Sequence, residues 1–457
     1  MSKFQAYPAY KDSGVEWVGE VPEHWSIIPL KHVITLNPQK SEYKGRQDIL
    51  CSFVPMEKLK MGTIQLDEYR TVSDVFHSYT YFENNDVLQA KVTPCFENKN
   101  VAIAEGLENG LGFGSSEINV LRPSESISRT FLFYRVQEDN YMSFCTASML
   151  GAGGLKRVPT DIINNFKVGL PGIEEQTQIA RFLDHETARM DALIAEQERL
   201  IELLKEKHQA VISHAVTKGL NPNVPMKDSG VEWLGDVPEH WEVVKNKYIF
   251  TFSGGLTITR QNLQDEGVPC ISYGEIHSRY GFSFDPVINP LKFVSEDYLE
   301  SRPQALLNKG DFVFADTSED YEGAGNFSYL SSTAPVFAGY HTVIARLIER
   351  HNPAYLAYMF DSQAHRAQIQ TAVSGIKVFS VTQSILKNTL VWLPHLEEQT
   401  EIARFLDQET TKLDALITEA QHAISLIKER RSALISAAVT GKIDVRNWQP
   451  EAEQKTA

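Results

Sequence analysis

Residues 11–25, KDSGVEWVGEVPEHW, return at 227–241 as KDSGVEWLGDVPEHW. Only Val18/Leu234 and Glu20/Asp236 differ, and both changes are conservative. A second stretch, LPGIEEQTQIARFLDHETARMDALIAEQE from 170, returns as LPHLEEQTEIARFLDQETTKLDALITEAQ from 393. The match carries on into AVISHAVT at 210–217 and ALISAAVT at 433–440. The offsets, 216 residues from 11 to 227 and 223 from 170 to 393, are nearly equal. Chance does not produce a fifteen-residue near-match, so the chain is a tandem duplication. The segments bracketed by the repeats, 26–169 and 242–392, have little in common. The period is too long for a solenoid, so each repeat is a globular domain followed by one long element.

That long element reads as a helix over 174–216. Pro171 precedes it, Glu174 and Glu175 suit the positive end of its dipole, and Gly219 can end it. Apolar residues at Ile179, Leu183, Met190, Leu193, Leu200, Leu204 and Val211 suggest a heptad seam. The second copy offers Ile402, Leu406, Leu413, Leu416, Ile427 and Leu434. A rod of forty-odd residues cannot bury its seam alone, and its own copy is the natural partner. The expected contacts join Ile179, Met190, Leu193 and Leu200 to Ile402, Leu413, Leu416 and Ile427. The alternative is a bundle helix inside an ordinary domain.

The repeated strap carries two tryptophans per copy, Trp17 and Trp25, then Trp233 and Trp241. They are read as pins holding the strap to its domain. His24 and His240 stand beside Glu23 and Glu239, but no set of further ligands with metal spacing is near.

Inside the bracketed segments, short β-rich runs come first and helices late. HVITLN, ILCSFVPM, TYFENNDVLQAKV and NVAIAEG precede a helix near 128–147. KYIFTFSGG, VPCISYGEI, GDFVFADTS and HTVIARL precede one near 353–371. The expected class is therefore α+β: two α/β domains separated by two long helices that pair with each other, with an internal pseudo-two-fold repeat. The expected boundaries are 1–169 for the first domain with its strap and 170–217 for the first helix. Linker, strap and second domain take 218–392, the second helix takes 393–443, and a flexible tail takes 444–457.

Composition excludes several classes. With 42% hydrophobic and 23% charged residues the chain can fill a core. No apolar run reaches the length of a membrane span, and no secretory signal is visible at the start. Cys51, Cys95, Cys145 and Cys270 are scattered and fit a reducing cytoplasm. The net charge of −15 argues against nucleic acid only if taken as a whole, because just the surface facing a duplex needs to be basic. Searches for a phosphate loop, a cofactor-binding glycine turn, a serine elbow, a zinc helix motif and an Asn-Pro-Pro-aromatic motif all fail. No cofactor, metal or catalytic residue is assigned.

Candidate DNA-facing residues lie in polar loops. NPQKSEYKGRQD at 37–48 offers Lys40, Lys44 and Arg46. SGGLTITRQN at 253–262 offers Thr257, Thr259, Arg260, Gln261 and Asn262. Arg, Asn and Gln can make paired hydrogen bonds to guanine and adenine edges. Two glycine turns in matching positions, GAGGLKR at 151–157 and VSGIKVF at 373–379, add Lys156, Arg157 and Lys377 as phosphate contacts.

The straps, the divergent domains and the LPxxEEQxxIARFLDxET helices together resemble the specificity subunit of a type I restriction-modification system, over nearly the whole chain. The resemblance implies a sequence-specific DNA-binding subunit without catalytic residues of its own. Each divergent domain would be a target-recognition domain reading one half of a bipartite, asymmetric site. The paired helices would form an antiparallel coiled coil that spaces the domains and docks two modification subunits that methylate adenine, with restriction subunits joining in the endonuclease. The rival reading is a coiled-coil protein-interaction scaffold without direct DNA readout, which the acidic balance favours.

Overall fold

A computed structural model describes residues 4–152, 154–231, 233–373, 375 and 378–450. The chain divides into two compact units, one made of 1–198 with 421–457 and the other of 199–420. Neither unit is a sequence repeat. Each takes one head and strap from one copy, the start of that copy's long helix, and the end of the other copy's long helix.

In the first unit, Ile34–Leu36, Leu50–Val54, Thr80–Glu83, Val87–Ala90 and Val101–Ile103 are strands, where the β-rich runs predict them. One four-stranded sheet has the order 101–103, 87–90, 118–123, 34–36. Another has the order 69–71, 50–54, 111–114, 80–83, with 50–54 parallel to 111–114. The expected late helix is two, Arg129–Arg135 and Asp139–Ala147. In the second unit, Phe250–Gly254, Thr342–Leu347, Phe312–Ala315, Phe327–Leu330 and Phe282–Phe284 form a five-stranded sheet. A three-stranded sheet, 292–294, 268–271 and 337–338, lies in the same unit, and Pro353–Asp361 and Gln363–Ala372 are among its helices.

The straps fold alike. Tyr10–Asp12 pairs with Glu20–Pro22, and Met226–Asp228 pairs with Asp236–Pro238. Trp25 and Trp241 are fully buried, consistent with their reading as pins. Their indole nitrogens donate to the first-turn glutamates of the long helices, Trp25 to Glu175 at 3.0 Å and Trp241 to Glu398 at 3.2 Å. The same carboxylates take His24 and His240, each at 2.7 Å. The strap histidines therefore serve a helix start, and their sequence neighbours Glu23 and Glu239 are not their partners here. Trp17 lies against Phe144 and Phe166, and Trp233, 43% exposed, has its ring 6.2 Å from that of Trp392.

The long helices run Ile173–Lys218 and Leu396–Val439. Within the first unit Gln178 reaches Val445 and Asp191 reaches Arg431, so the two helix segments run antiparallel. Within the second unit His208 lies by Asp414, and Gly219 lies near Glu398, which gives the same sense. The expected seam needs a correction. Met190 and Leu413 are buried, but Leu193, Leu200 and Leu416 are more than 40% exposed. The inward positions step through Leu183, Thr187, Met190, Ile194, Gln197, Ile201, Leu204 and His208, alternating four and three. The matching positions in the second helix are Leu406, Thr410, Leu413, Ile417, Ala420, Ile424, Ile427 and Arg431. The seam thus uses the isoleucine of each Leu-Ile pair, one residue beyond the expected leucine. Ile179 packs in the core of the first unit, against which Ile427 also packs, and Ile402 packs in that of the second.

The expected flexible tail is ordered over its first part. Ile443 and Val445 are buried, Asp444 N donates to Gln5 O at 2.8 Å, and the Trp448 ring lies 5.2 Å from Phe182. Apolar side chains at 443, 445 and 448 supply the burial that holds this segment down.

Candidate nucleic-acid interface

The two loops singled out in sequence are the same structural element. Leu36 leads into a 3-10 turn at Lys40–Glu42, and Gly254 leads toward one at Arg260–Asn262. Both turns close with reciprocal caps. Glu42 accepts from the Gln39 amide at 3.1 Å, and Asn262 accepts from the Thr259 amide at 2.9 Å. The Asn262 carbonyl oxygen is also taken by the Thr259 hydroxyl at 3.1 Å. Thr259 and Asn262 therefore shape the turn, and Arg260 and Gln261 are the exposed side chains it presents, with Thr257 exposed just before it.

In the first head, Lys40 is half-buried and donates to the His77 carbonyl at 3.1 Å; burial pushes its pKa below the usual lysine value. Lys44 is exposed. Arg46 is exposed but bonded to Asp48, whose carboxyl it holds below the ordinary range. An open groove of about 570 Å³ runs between Gln39, Lys40, Ser41, Tyr79, Thr80 and Lys91. Lys91 follows the Val87–Ala90 strand, and Glu117 precedes the Ile118–Pro123 strand; Ala90 pairs with Ile118, so the two sit at one sheet end. The 37–42 loop joins them there, because Asn37 bonds Val120.

Lys156 and Arg157 reach the same sheet end. Leu150–Ala152 and Leu155–Arg157 form an exposed hairpin, which Arg157 ties to Glu117 through two bonds of 2.8 and 2.9 Å. These bonds hold the Glu117 carboxyl below its usual range. The Lys156 side chain is exposed. The structure thus gathers Lys40, Lys156 and Arg157, with Arg46 engaged by Asp48. Lys377 lies outside the described residues. The segment after it pairs as its counterpart does: Ser380 with Thr317, as Arg157 bridges Val92.

Sequence reading missed Lys91 and Glu117. Their counterparts in the second head are Asp316, after Phe312–Ala315, and His341, before Thr342–Leu347, because Ala315 pairs with Thr342. Asp316 and His341 are 3.1 Å apart, and the His341 ring lies 5.4 Å from Tyr273. One frame therefore carries Gln39-Lys40 with Lys91 and Glu117 in one head, and Thr259-Arg260-Gln261 with Asp316 and His341 in the other. Charge and hydrogen-bonding character differ at matched points, which is what reading two different half-sites requires. Both pairs could have been noticed only by aligning the polar residue that ends each central strand. Among the described residues no cluster of side chains with metal-ligand spacing exists, and no helix is long and apolar enough to cross a membrane.

The model of the type I restriction modification DNA specificity domain matches residues 73–203 and again 238–425. The chain is 30% identical to the specificity subunit of type I restriction enzyme EcoAI from Escherichia coli, over 53% of this chain and 40% of that one. It therefore spans less than half the length of that relative. Its likeness to the EcoKI specificity subunit of Escherichia coli K12 is 24% over 95% of this chain and 92% of that one. A solved chain, described for complex assembly and conformational transition of the type I R-M system, superposes with a TM-score of 0.70 at 18% identity. That superposition covers 92% of this chain and 98% of the other, and it is a likeness of fold. Two matches covering more than half of the sequence, one on each head, place this chain in the family of type I restriction-modification specificity proteins.

Proposed function

We propose that this chain reads a bipartite, asymmetric site on double-stranded DNA and directs partner subunits to it. The segments 26–169 and 242–392 act as target-recognition domains, each reading one half-site. Phosphate contacts from Lys40, Lys91 and Lys156 position the first head. Gln39, and in the second head Arg260 and Gln261, offer side chains suited to base edges. The observation that carries this reading is the pair of equivalent sheet ends bearing different chemistry.

Two methyltransferase subunits take the paired helices and methylate adenine, and restriction subunits complete an endonuclease in the cytoplasm. The specificity chain contributes address and assembly, and the bond-making groups belong to its partners. The EcoAI and EcoKI relatives, which are specificity subunits by name, support this division of labour.

The test is methylation mapping of DNA exposed to the assembled complex, with the native chain and with a chain whose residues 26–169 come from a relative. The expected result is two unlike half-sites, of which only one changes on the exchange. A change in both halves, or in neither, would overturn the assignment.

A further inference from the structure

The first head's core does not explain the hairpin of Leu150–Ala152 and Leu155–Arg157. Leu150 is 69% exposed and Leu155 is 57% exposed, and neither belongs to the buried clusters of this unit. The register pairs Leu150 with Arg157 and Ala152 with Leu155. Strand alternation then sets Leu150, Ala152, Leu155 and Arg157 on one face, with Lys156 on the other. The hairpin is stiffly rooted. Val92 bridges Arg157, Thr93 N donates to the Lys156 carbonyl at 3.0 Å, and the Thr93 hydroxyl donates to the Gly154 carbonyl at 2.5 Å. Arg157 adds its two hydrogen bonds to the Glu117 carboxylate. A braced projection therefore shows two leucines to solvent beside Lys91 and the groove at Lys40.

We propose that Leu150 and Leu155 form a wedge that enters the duplex at one base step of the half-site read by the first head, unstacking it. This rests on the DNA-reading function proposed above. Leucine is among the side chains that proteins drive between base pairs, and the bend that follows lets more surface reach the backbone. The setting selects nucleic acid as occupant. Lys40 and Lys91 line the groove at the hairpin's root and Lys156 lies on its other face, positive charge that complements phosphate in a chain of net charge −15. Arg157, spent on Glu117, braces the wedge, and Lys156 on the opposite face holds the backbone.

The test uses the assembled complex and a duplex carrying its mapped site, with 2-aminopurine placed in turn at positions other than the methylated bases. The native chain should brighten one step in the half-site read by the first head. Leu150→Ser with Leu155→Ser should lose that signal, and Leu150→Met with Leu155→Met should keep it. The salt dependence of binding and the fluorescence of the other half-site should not change. Absence of a bright step with the native chain, or a signal untouched by the serine variant, overturns the wedge. Failure of the serine variant to assemble with methyltransferase subunits assigns the face to a protein partner and also overturns it. Site-specific, salt-dependent binding by the native complex stands as a separate result; its absence would sink the DNA-reading function itself.

Discussion

The carboxylate of Asp191 stands 3.4 Å from the guanidinium of Arg431. Their sequence counterparts, Asp414 and His208, meet at 3.6 Å in the other unit. An aspartate on each helix thus finds a basic residue at an inward heptad position of the other helix. Both copies keep the site, with histidine in one helix and arginine in the other.

The corrected seam separates neighbours that composition alone treats alike. Met190→Ala, at a buried position, should cost about 2–5 kcal/mol. Leu193→Ala, with its side chain 44% exposed, should change stability by under about 0.5 kcal/mol. Urea unfolding followed by circular dichroism measures both. Equal losses would restore the leucine seam.

Glu175 gathers the first strap. It accepts from the Tyr7 hydroxyl at 2.7 Å and from Trp25 at 3.0 Å, and it faces His24. Glu175→Leu leaves the buried indole without its acceptor, at a cost of about 1–3 kcal/mol. Protease cleavage near the first strap should rise in this variant, and the second strap should keep its resistance. Unaltered cleavage would show that packing alone holds the strap.

His365 is fully buried, and burial pushes its pKa down to about 3. The folded chain keeps it neutral, while the unfolded chain takes up a proton below about pH 6.5. Its contribution is complete above pH 6.5 and is lost progressively as pH falls toward 3, by up to about 1.4 kcal/mol per pH unit. His365→Phe should therefore lose less stability between pH 7 and pH 5 than the native chain. Denaturant midpoints at the two pH values decide the matter, and parallel losses would place the acid sensitivity elsewhere.

Lys156 and Arg157 should separate in salt titrations. Lys156→Ala should weaken duplex binding and reduce the log–log salt slope by about 0.9, the value for one phosphate contact. Arg157→Ala releases Glu117 and should weaken binding with a smaller change in slope. Equal slopes for the two variants would show that Arg157 leaves its carboxylate to meet phosphate.

The architecture was legible because its signals are repeated or local. Two copies of the strap and helix announced the duplication, and the β-rich runs marked the central strands. The helix register was harder. Leu193-Ile194 and Leu200-Ile201 place two apolar residues side by side, and only packing chooses between them. The partners of Trp25 and Lys91 lie far away in sequence, so their roles depend on topology. The ordered tail was missed because Ile443, Val445 and Trp448 are too sparse to show a period. Of the site, polarity in the loops was visible, but the meeting of Lys40 with Lys91 and the hairpin was not.

Each strap closes on the end of the other copy's helix. Gly441 is packed against Pro22 and Trp25 in one unit, and Gly219 against Trp241 in the other. A single repeat would lack the very helix end that its own strap covers. The two copies are therefore interlocked: neither compact unit can be built from one repeat, and each copy supplies the helix end that the other's strap needs.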